Sequence, residues 1–175
     1  DPAEHIRGLW EMYQSEAWPR PVFELAFKWL GARLPAAATP RLVHGDFRNG
    51  NMIVGEDGVR AVLDWELAHL GDPLQDFGWL CTNSWRFGGI DKPVGGFGTR
   101  ADLFAGYEAA GGGSVDPERV RFWEILGSLR WGVMCTLSAV AFRAANGQVP
   151  VDRPMIARRA SETEIDLADL LAGAK

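Results

Sequence analysis

The 175-residue sequence predicts an α+β fold, mainly helical, with one small β-hairpin patch. Three observations lead there. Apolar residues recur at helical spacing over both ends of the chain, β-prone runs are confined to about residues 41 to 65, and an Asp-Gly turn separates two of those runs. A hydrophobic content of 47% can bury one sizeable core, so a single domain is expected.

The elements follow in order. Ile6, Leu9, Trp10 and Tyr13 mark a helix over about residues 3–17, and Trp18-Pro19-Arg20-Pro21 breaks it. "VFELAFKWLGARL" repeats the pattern through Phe23, Ala26, Phe27 and Leu30, and Pro35 to Pro40 is a connector. "RLVHG", "NMIVG" and "VRAVLDW" are extended runs, the last two joined by the turn "EDG", giving a βββ patch. A helix resumes from Leu74 to Asn83. Residues 84–98, "SWRFGGIDKPVGGFG", form a glycine-rich loop expected to be mobile.

Thr99 and Asp102 read as a capping box for a helix to about Ala110. Asp116-Pro117 opens a long helix to Asn146-Gly147. Gly127 and Gly132 inside it cost about 1 kcal/mol each against alanine, so a neighbouring helix is expected to approach closely there. A last helix is expected from about Pro154 to Leu171.

Composition narrows the partners. A net charge of −5 without a basic run gives no footprint for nucleic acid. No apolar run is expected to reach bilayer length and no secretory segment opens the chain, so neither a membrane nor export is expected. Cys81 and Cys135 sit in apolar helical surroundings and read as buried free thiols, which fits a cytoplasmic location.

"LVHGDFRNGNMIVGEDGVRAVLDWE", residues 42–66, is the stretch that carries chemistry. Any one of its polar residues is explained by turn formation. Together, His44-x-Asp46, Asn51 five residues after the Asp, and Asp64 at the end of a hairpin match a phosphoryl-transfer layout. Such a site needs a carboxylate within one hydrogen bond of the acceptor hydroxyl, and oxygen ligands for a magnesium ion that keeps several waters. Asp46, Asn51 and Asp64 fill those three places.

At these residues the sequence resembles the aminoglycoside phosphotransferase and choline kinase-like superfamily of small-molecule kinases. "HGDFRNGN" is similar to its H-G-D-x-x-x-x-N motif, and "VLDWELAHLGDPLQDFGWL" to its Asp-Trp…Gly-Asp-Pro-x-x-Asp motif. The likeness is greatest to the branch associated with acyl-CoA dehydrogenases. It implies a protein kinase-like C-terminal lobe whose hairpin patch carries the catalytic loop. It also implies ATP as co-substrate with Mg²⁺, and a small hydroxylated molecule as acceptor.

The resemblance assigns Asp46 as the base or hydroxyl-orienting carboxylate, with Asn51 and Asp64 as metal and nucleotide ligands. His44 would orient the loop. Asp72 and Asp76 would support the site, the first by starting a helix and the second by tying the loop backbone. Trp65 and Glu66 stand where protein kinases have Phe-Gly, so their mobile switch is not expected. Arg48 either contacts the transferring phosphoryl group or pairs with a carboxylate to hold the loop. Trp85, Arg86 and Phe87 are the acceptor-contacting candidates, and core packing is the competing explanation for the aromatics.

A glycine-rich lid and a strand lysine would be needed before the catalytic loop. Only 43 residues precede His44, they read as two helices, and their one lysine is Lys28. The expectation is therefore one lobe over residues 1–175: a helical lead-in 1–40, a catalytic and metal-binding segment 41–83, the loop 84–98 and a helical part 99–175. The N-terminal nucleotide lobe is absent from it, the non-Met start agrees, and self-association through uncovered apolar surface is expected. Such a chain is expected to be inactive alone. A non-catalytic binding or assembly module is the other functional class, and a hydrolytic metal centre is disfavoured because His5, His44 and His69 are scattered.

Overall fold

The computed structural model describes residues 1–16, 18–146, 148 and 152–173. It contains helices α1 (Pro2–Glu16), α2 (Pro21–Gly31), α3 (Leu74–Cys81), α4 (Arg100–Ala109), α5 (Pro117–Ala144), α6 (Asp152–Ala157) and α7 (Ala160–Ala172). Strands β1 (Arg41–Val43), β2 (Met52–Gly55), β3 (Gly58–Val62) and β4 (His69–Gly71) complete it. The chain divides into two compact units, Asp1–Leu34 with Ile125–Lys175, and Pro35–Glu124.

The first unit is helical. The face of α2 formed by Phe23, Ala26, Phe27 and Leu30 is buried, and α2 packs on α1 and α7. Each of the three larger side chains contributes about 2 kcal/mol by leaving water. Trp10 meets Phe27 edge-on with centroids 4.9 Å apart. The expected close approach is realised at Gly132 of α5, where a Cβ would run into Phe23 and Thr163. Arg20 pairs with Glu164 at 2.7 Å.

The second unit holds the strands, and its sheet topology differs from the expected three-stranded patch. β2 and β3 form the hairpin, while β1 pairs antiparallel with β4, giving two separate two-stranded sheets. At three residues, β4 is too short for its own periodicity to show. Leu80, Cys81 and Val94 form an apolar cluster on which Phe47, Met52 and Leu103 pack. Gly78 lets α3 lie directly on the backbone of Trp123, where any Cβ would collide.

Two buried carboxylates knot this unit together. Asp72 accepts from the Leu74 N–H, from Arg119 Nε at 2.6 Å and from Trp123 Nε1 at 2.7 Å. Glu124, 2% exposed, binds Arg86 and Arg100. Both cysteines are free and buried, and burial pushes each thiol up to about 12.

Other expectations are refined. Thr99 caps α4 by accepting the Asp102 N–H. The last helix is two, because the Arg159 N–H bonds back three residues to Ile156 and tightens the ladder. α5 ends at Ala144, and Gly147, the expected stop, lies outside the described residues.

The expectation that no run reaches bilayer length is corrected: α5 is long enough, and its most apolar window has a mean hydropathy of 1.5. More than half of that window, 56%, is buried inside the protein, as in a core helix. The 84–98 segment is more tied than a free loop. Val94 is buried and bridges Gly98, and the Gly95 N–H donates to Leu80 O.

Candidate functional site

The site grows out of the end of β1. Val43 is fully buried, and the chain then turns through His44-Gly45-Asp46. Gly45 has φ +82° and lies so close to the Leu67 carbonyl that a Cβ would collide, so only glycine serves here. Asp76, in the first turn of α3, accepts the N–H of His44 at 2.7 Å and of Gly45 at 2.9 Å. Burial raises the Asp76 carboxyl above its ordinary value, and these two donors offset part of that rise.

The His44 ring is buried and bonded at both nitrogens. Nδ1 accepts the Asp46 N–H at 3.2 Å, so Nε2 carries the proton and donates to Leu63 O at 2.8 Å. His44 thereby joins the loop to the residue after β3. This geometry holds a backbone in place and leaves no nitrogen for proton transfer.

The Asp46 carboxylate takes three N–H donors. Trp79 Nε1 donates to Oδ1 at 2.7 Å, Asn51 Nδ2 to Oδ2 at 2.8 Å, and Arg48 Nε lies 3.2 Å from both oxygens. Asp46 keeps 18% side-chain exposure, so it is fixed yet reachable. Arg48 also lies over the Trp85 ring, 4.9 Å from its centroid.

Asn51 closes a short 3-10 turn, and its Nδ2 also donates to the Asp46 carbonyl at 2.9 Å. Its amide nitrogen is thus committed to Asp46, and Oδ1 remains an oxygen donor. The hairpin register pairs Met52 with Val62, and the Leu63 N–H donates to Asn51 O at 2.9 Å. Asp64 follows directly, exposed, at φ 66° and ψ 58°, a left-handed conformation that aspartate tolerates. Its carboxylate takes no hydrogen bond from the described residues.

Among the described residues no group of three His, Cys, Asp or Glu is gathered to hold a metal by itself. Asn51 Oδ1 and the Asp64 carboxylate are hard oxygen donors on adjoining chain segments. That donor set fits a magnesium ion, which takes few protein ligands and fills its sphere with water and phosphate.

The other candidate residues are dispersed. Asp72 starts α3 and is buried against Arg119 and Trp123. Trp85 is buried in a 3-10 turn (Asn83–Trp85) beneath Arg48. Arg86, 6% exposed, is locked to Glu124 and to the Cys81 carbonyl. Phe87 alone of these three is exposed, with φ 45°. A cavity of about 380 Å³ opens beside the loop, walled by Arg41, His44, Phe47, Trp65, Asp76 and Tyr107 among others, with none of Trp85, Arg86 and Phe87 in its wall. Trp79 is the site residue that sequence reasoning missed. Its place three residues after Asp76 is the sole clue.

Comparison with known proteins gives a concordant picture. The family model described as "Phosphotransferase enzyme family" matches residues 2–123, more than half of the chain. The mouse protein "Acyl-CoA dehydrogenase family member 10" is 46% identical over 63 residues, covering 35% of this chain and 6% of that protein. The Arabidopsis thaliana "Probable acyl-CoA dehydrogenase IBR3" is 42% identical over 66 residues, 34% of this chain and 8% of that one. The chain thus matches less than a tenth of these relatives' length.

The apo crystal structure of a thermostable mutant of aminoglycoside phosphotransferase APH(4)-Ia superimposes with a TM-score of 0.57 at 19% identity. That superposition covers 87% of this chain and 44% of the other, and at this identity it bears on the fold alone. The fold is the mainly helical, kinase-like one with small antiparallel sheets. The chain belongs to the phosphotransferase enzyme family.

Proposed function

We propose that this chain carries the acceptor and magnesium half of an ATP-dependent O-phosphotransferase for a small hydroxylated molecule. The observation that carries the reading is the Asp46 carboxylate, held by three N–H donors beside Asn51, with Asp64 brought next to Asn51 by the hairpin.

In this reading the Asp46 carboxylate accepts the proton of the acceptor hydroxyl as that oxygen forms its bond to the terminal phosphorus of ATP. The bond to the nucleoside diphosphate breaks in the same displacement. Asn51 Oδ1 and Asp64 would hold Mg²⁺, which would neutralise charge on the phosphate oxygens. Arg48 Nε stays on Asp46, and its terminal nitrogens, unbonded among the described residues, are placed for the phosphoryl group. Both notions of Arg48 are thereby served by one side chain. His44 and Asp76 hold the loop, and Asp72 holds the start of α3.

The nucleotide clamp is proposed to come from outside these 175 residues. The regular elements before β1 are the helices α1 and α2, and the described residues there offer neither a glycine-rich lid nor a strand lysine. The isolated chain is accordingly proposed not to turn over. Uncovered apolar side chains on the ribbons, Leu42 facing Leu70 and Val54 beside Val59, support a covering lobe or self-association. The same surface supports the second reading, a non-catalytic binding or assembly module.

The test is ATP-dependent phosphorylation of a hydroxyl-substrate panel by a form that includes a nucleotide-binding segment. Hydroxyacyl thioesters belong in that panel because similar proteins are named acyl-CoA dehydrogenases. Turnover abolished by Asp46→Asn supports phosphotransfer. Robust turnover by the 175-residue chain overturns the half-site reading, and no turnover by either form favours the binding module.

A further inference from the structure

We propose that Trp79 is a positioning residue: its indole N–H, with the Arg48 guanidinium that Trp85 supports, fixes the Asp46 carboxylate for the acceptor hydroxyl. The inference rests on the phosphotransfer reading above and assigns that site two residues its motifs do not contain.

Four side chains close a circuit. Trp79 Nε1 donates to Asp46 Oδ1 at 2.7 Å. The Trp79 ring lies against Trp85, with centroids 5.0 Å apart and planes at 55°. Trp85 in turn carries the Arg48 guanidinium, 4.9 Å above its ring. Arg48 Nε returns to both oxygens of Asp46 at 3.2 Å. Both indoles are 5% exposed, so these contacts do not exchange readily with water.

The carboxylate shows why the N–H matters. An ionised carboxylate has about four acceptor sites. Trp79 takes one on Oδ1, Asn51 takes one on Oδ2, and Arg48 lies between the two oxygens. The acceptor hydroxyl must come to what remains. Without the indole N–H, Oδ1 keeps, among the described residues, only the longer Arg48 contact, and the carboxylate can rotate about its last torsion.

Trp79 also sits on α3, the eight-residue helix whose first turn presents Asp76 to the loop backbone. One short helix therefore sets both the loop's main chain and the direction of its reactive side chain. Trp85 is then a support for Arg48, not an acceptor contact.

Trp79→Phe separates this role from core filling, because it keeps a ring against Trp85 and removes only the N–H. In the 175-residue chain with ¹⁵N-labelled indoles, the resonance lost in Trp79→Phe identifies Trp79. Asp46→Asn should displace that resonance, while Asp91→Asn in the 84–98 segment should leave it in place. In the phosphotransferring form, Trp79→Phe should lower kcat about ten- to a hundredfold, the worth of a hydrogen bond to a charged group. The nucleotide KM should stay within about twofold, since binding is not what the N–H serves.

A Trp79 resonance indifferent to Asp46→Asn, or a kcat unchanged in Trp79→Phe, overturns the positioning role. If the unsubstituted protein phosphorylates nothing, the phosphotransfer reading itself has failed. If it turns over and Trp79→Phe turns over equally well, only this inference has failed.

Discussion

The loop from His44 to Asn51 and the turn from Asp64 to Leu67 carry carboxylates of one candidate site, yet they are built in opposite ways. In the loop every functional side chain has protein partners. His44 bonds through both nitrogens, Asp76 takes two backbone N–H groups, and Asp46 takes three donors. In the turn Asp64 is exposed, left-handed and unbonded among the described residues.

The difference follows from what each carboxylate is proposed to meet. A hydroxyl is a weak, single-point ligand, so the group that orients it must be fixed beforehand. A magnesium ion is a strong ligand that imposes its own octahedral geometry, so its carboxylate need only be within reach.

The largest effect should come from the fixed partner. Asp46→Asn keeps the side-chain shape and removes the proton acceptor, so kcat should fall about 10²- to 10⁴-fold. The nucleotide KM should be retained. Steady-state kinetics against the best panel substrate read this directly, and a comparable rise in KM would place Asp46 in nucleotide binding instead.

The second effect is on stability and sharpens the contrast. His44→Ala leaves the Asp46 N–H and the Leu63 carbonyl without their partner, which should cost about 2–3 kcal/mol in urea unfolding. Asp64→Asn suits the same left-handed backbone at an exposed position and should stay within about 0.5 kcal/mol of the parent. Equal losses for the two variants would remove the distinction between a tied loop and an open turn.

The smallest effect is a pH dependence inside the loop's support. Because burial raises the Asp76 carboxyl above its ordinary 3.8, the folded chain holds that proton where the unfolded chain has lost it. Its contribution to stability is therefore fullest below 3.8 and declines as pH rises from there through the raised value. The stability difference between parent and Asp76→Asn should shrink over that rise. A difference that grows with pH would mean the two N–H donors outweigh burial.

Much of the tied loop was legible in the sequence because its chemistry is local. His44, Asp46 and Asn51 lie within eight residues, and a single hairpin with a readable Asp-Gly turn delivers Asp64. The Thr99 cap and the tight packing at Gly132 were legible for the same reason: each imposes a rule on one residue type.

What was not legible depends on distant partners. Trp79 meets Asp46 across 33 residues, and Arg86, expected among acceptor contacts, is buried with Glu124 across 38. Such pairs leave no period or spacing. β4 was missed because three residues carry no alternation, and one continuous pattern hid the turn between α6 and α7.

The central claim, a carboxylate fixed in advance beside one that a cation completes, is tested most directly by the Mg²⁺ dependence of turnover in Asp46→Asn and Asp64→Asn. The account predicts that Asp64→Asn recovers activity as Mg²⁺ is raised, while Asp46→Asn stays low at every concentration. Recovery of Asp46→Asn with added Mg²⁺, or identical Mg²⁺ curves for the two variants, would contradict it.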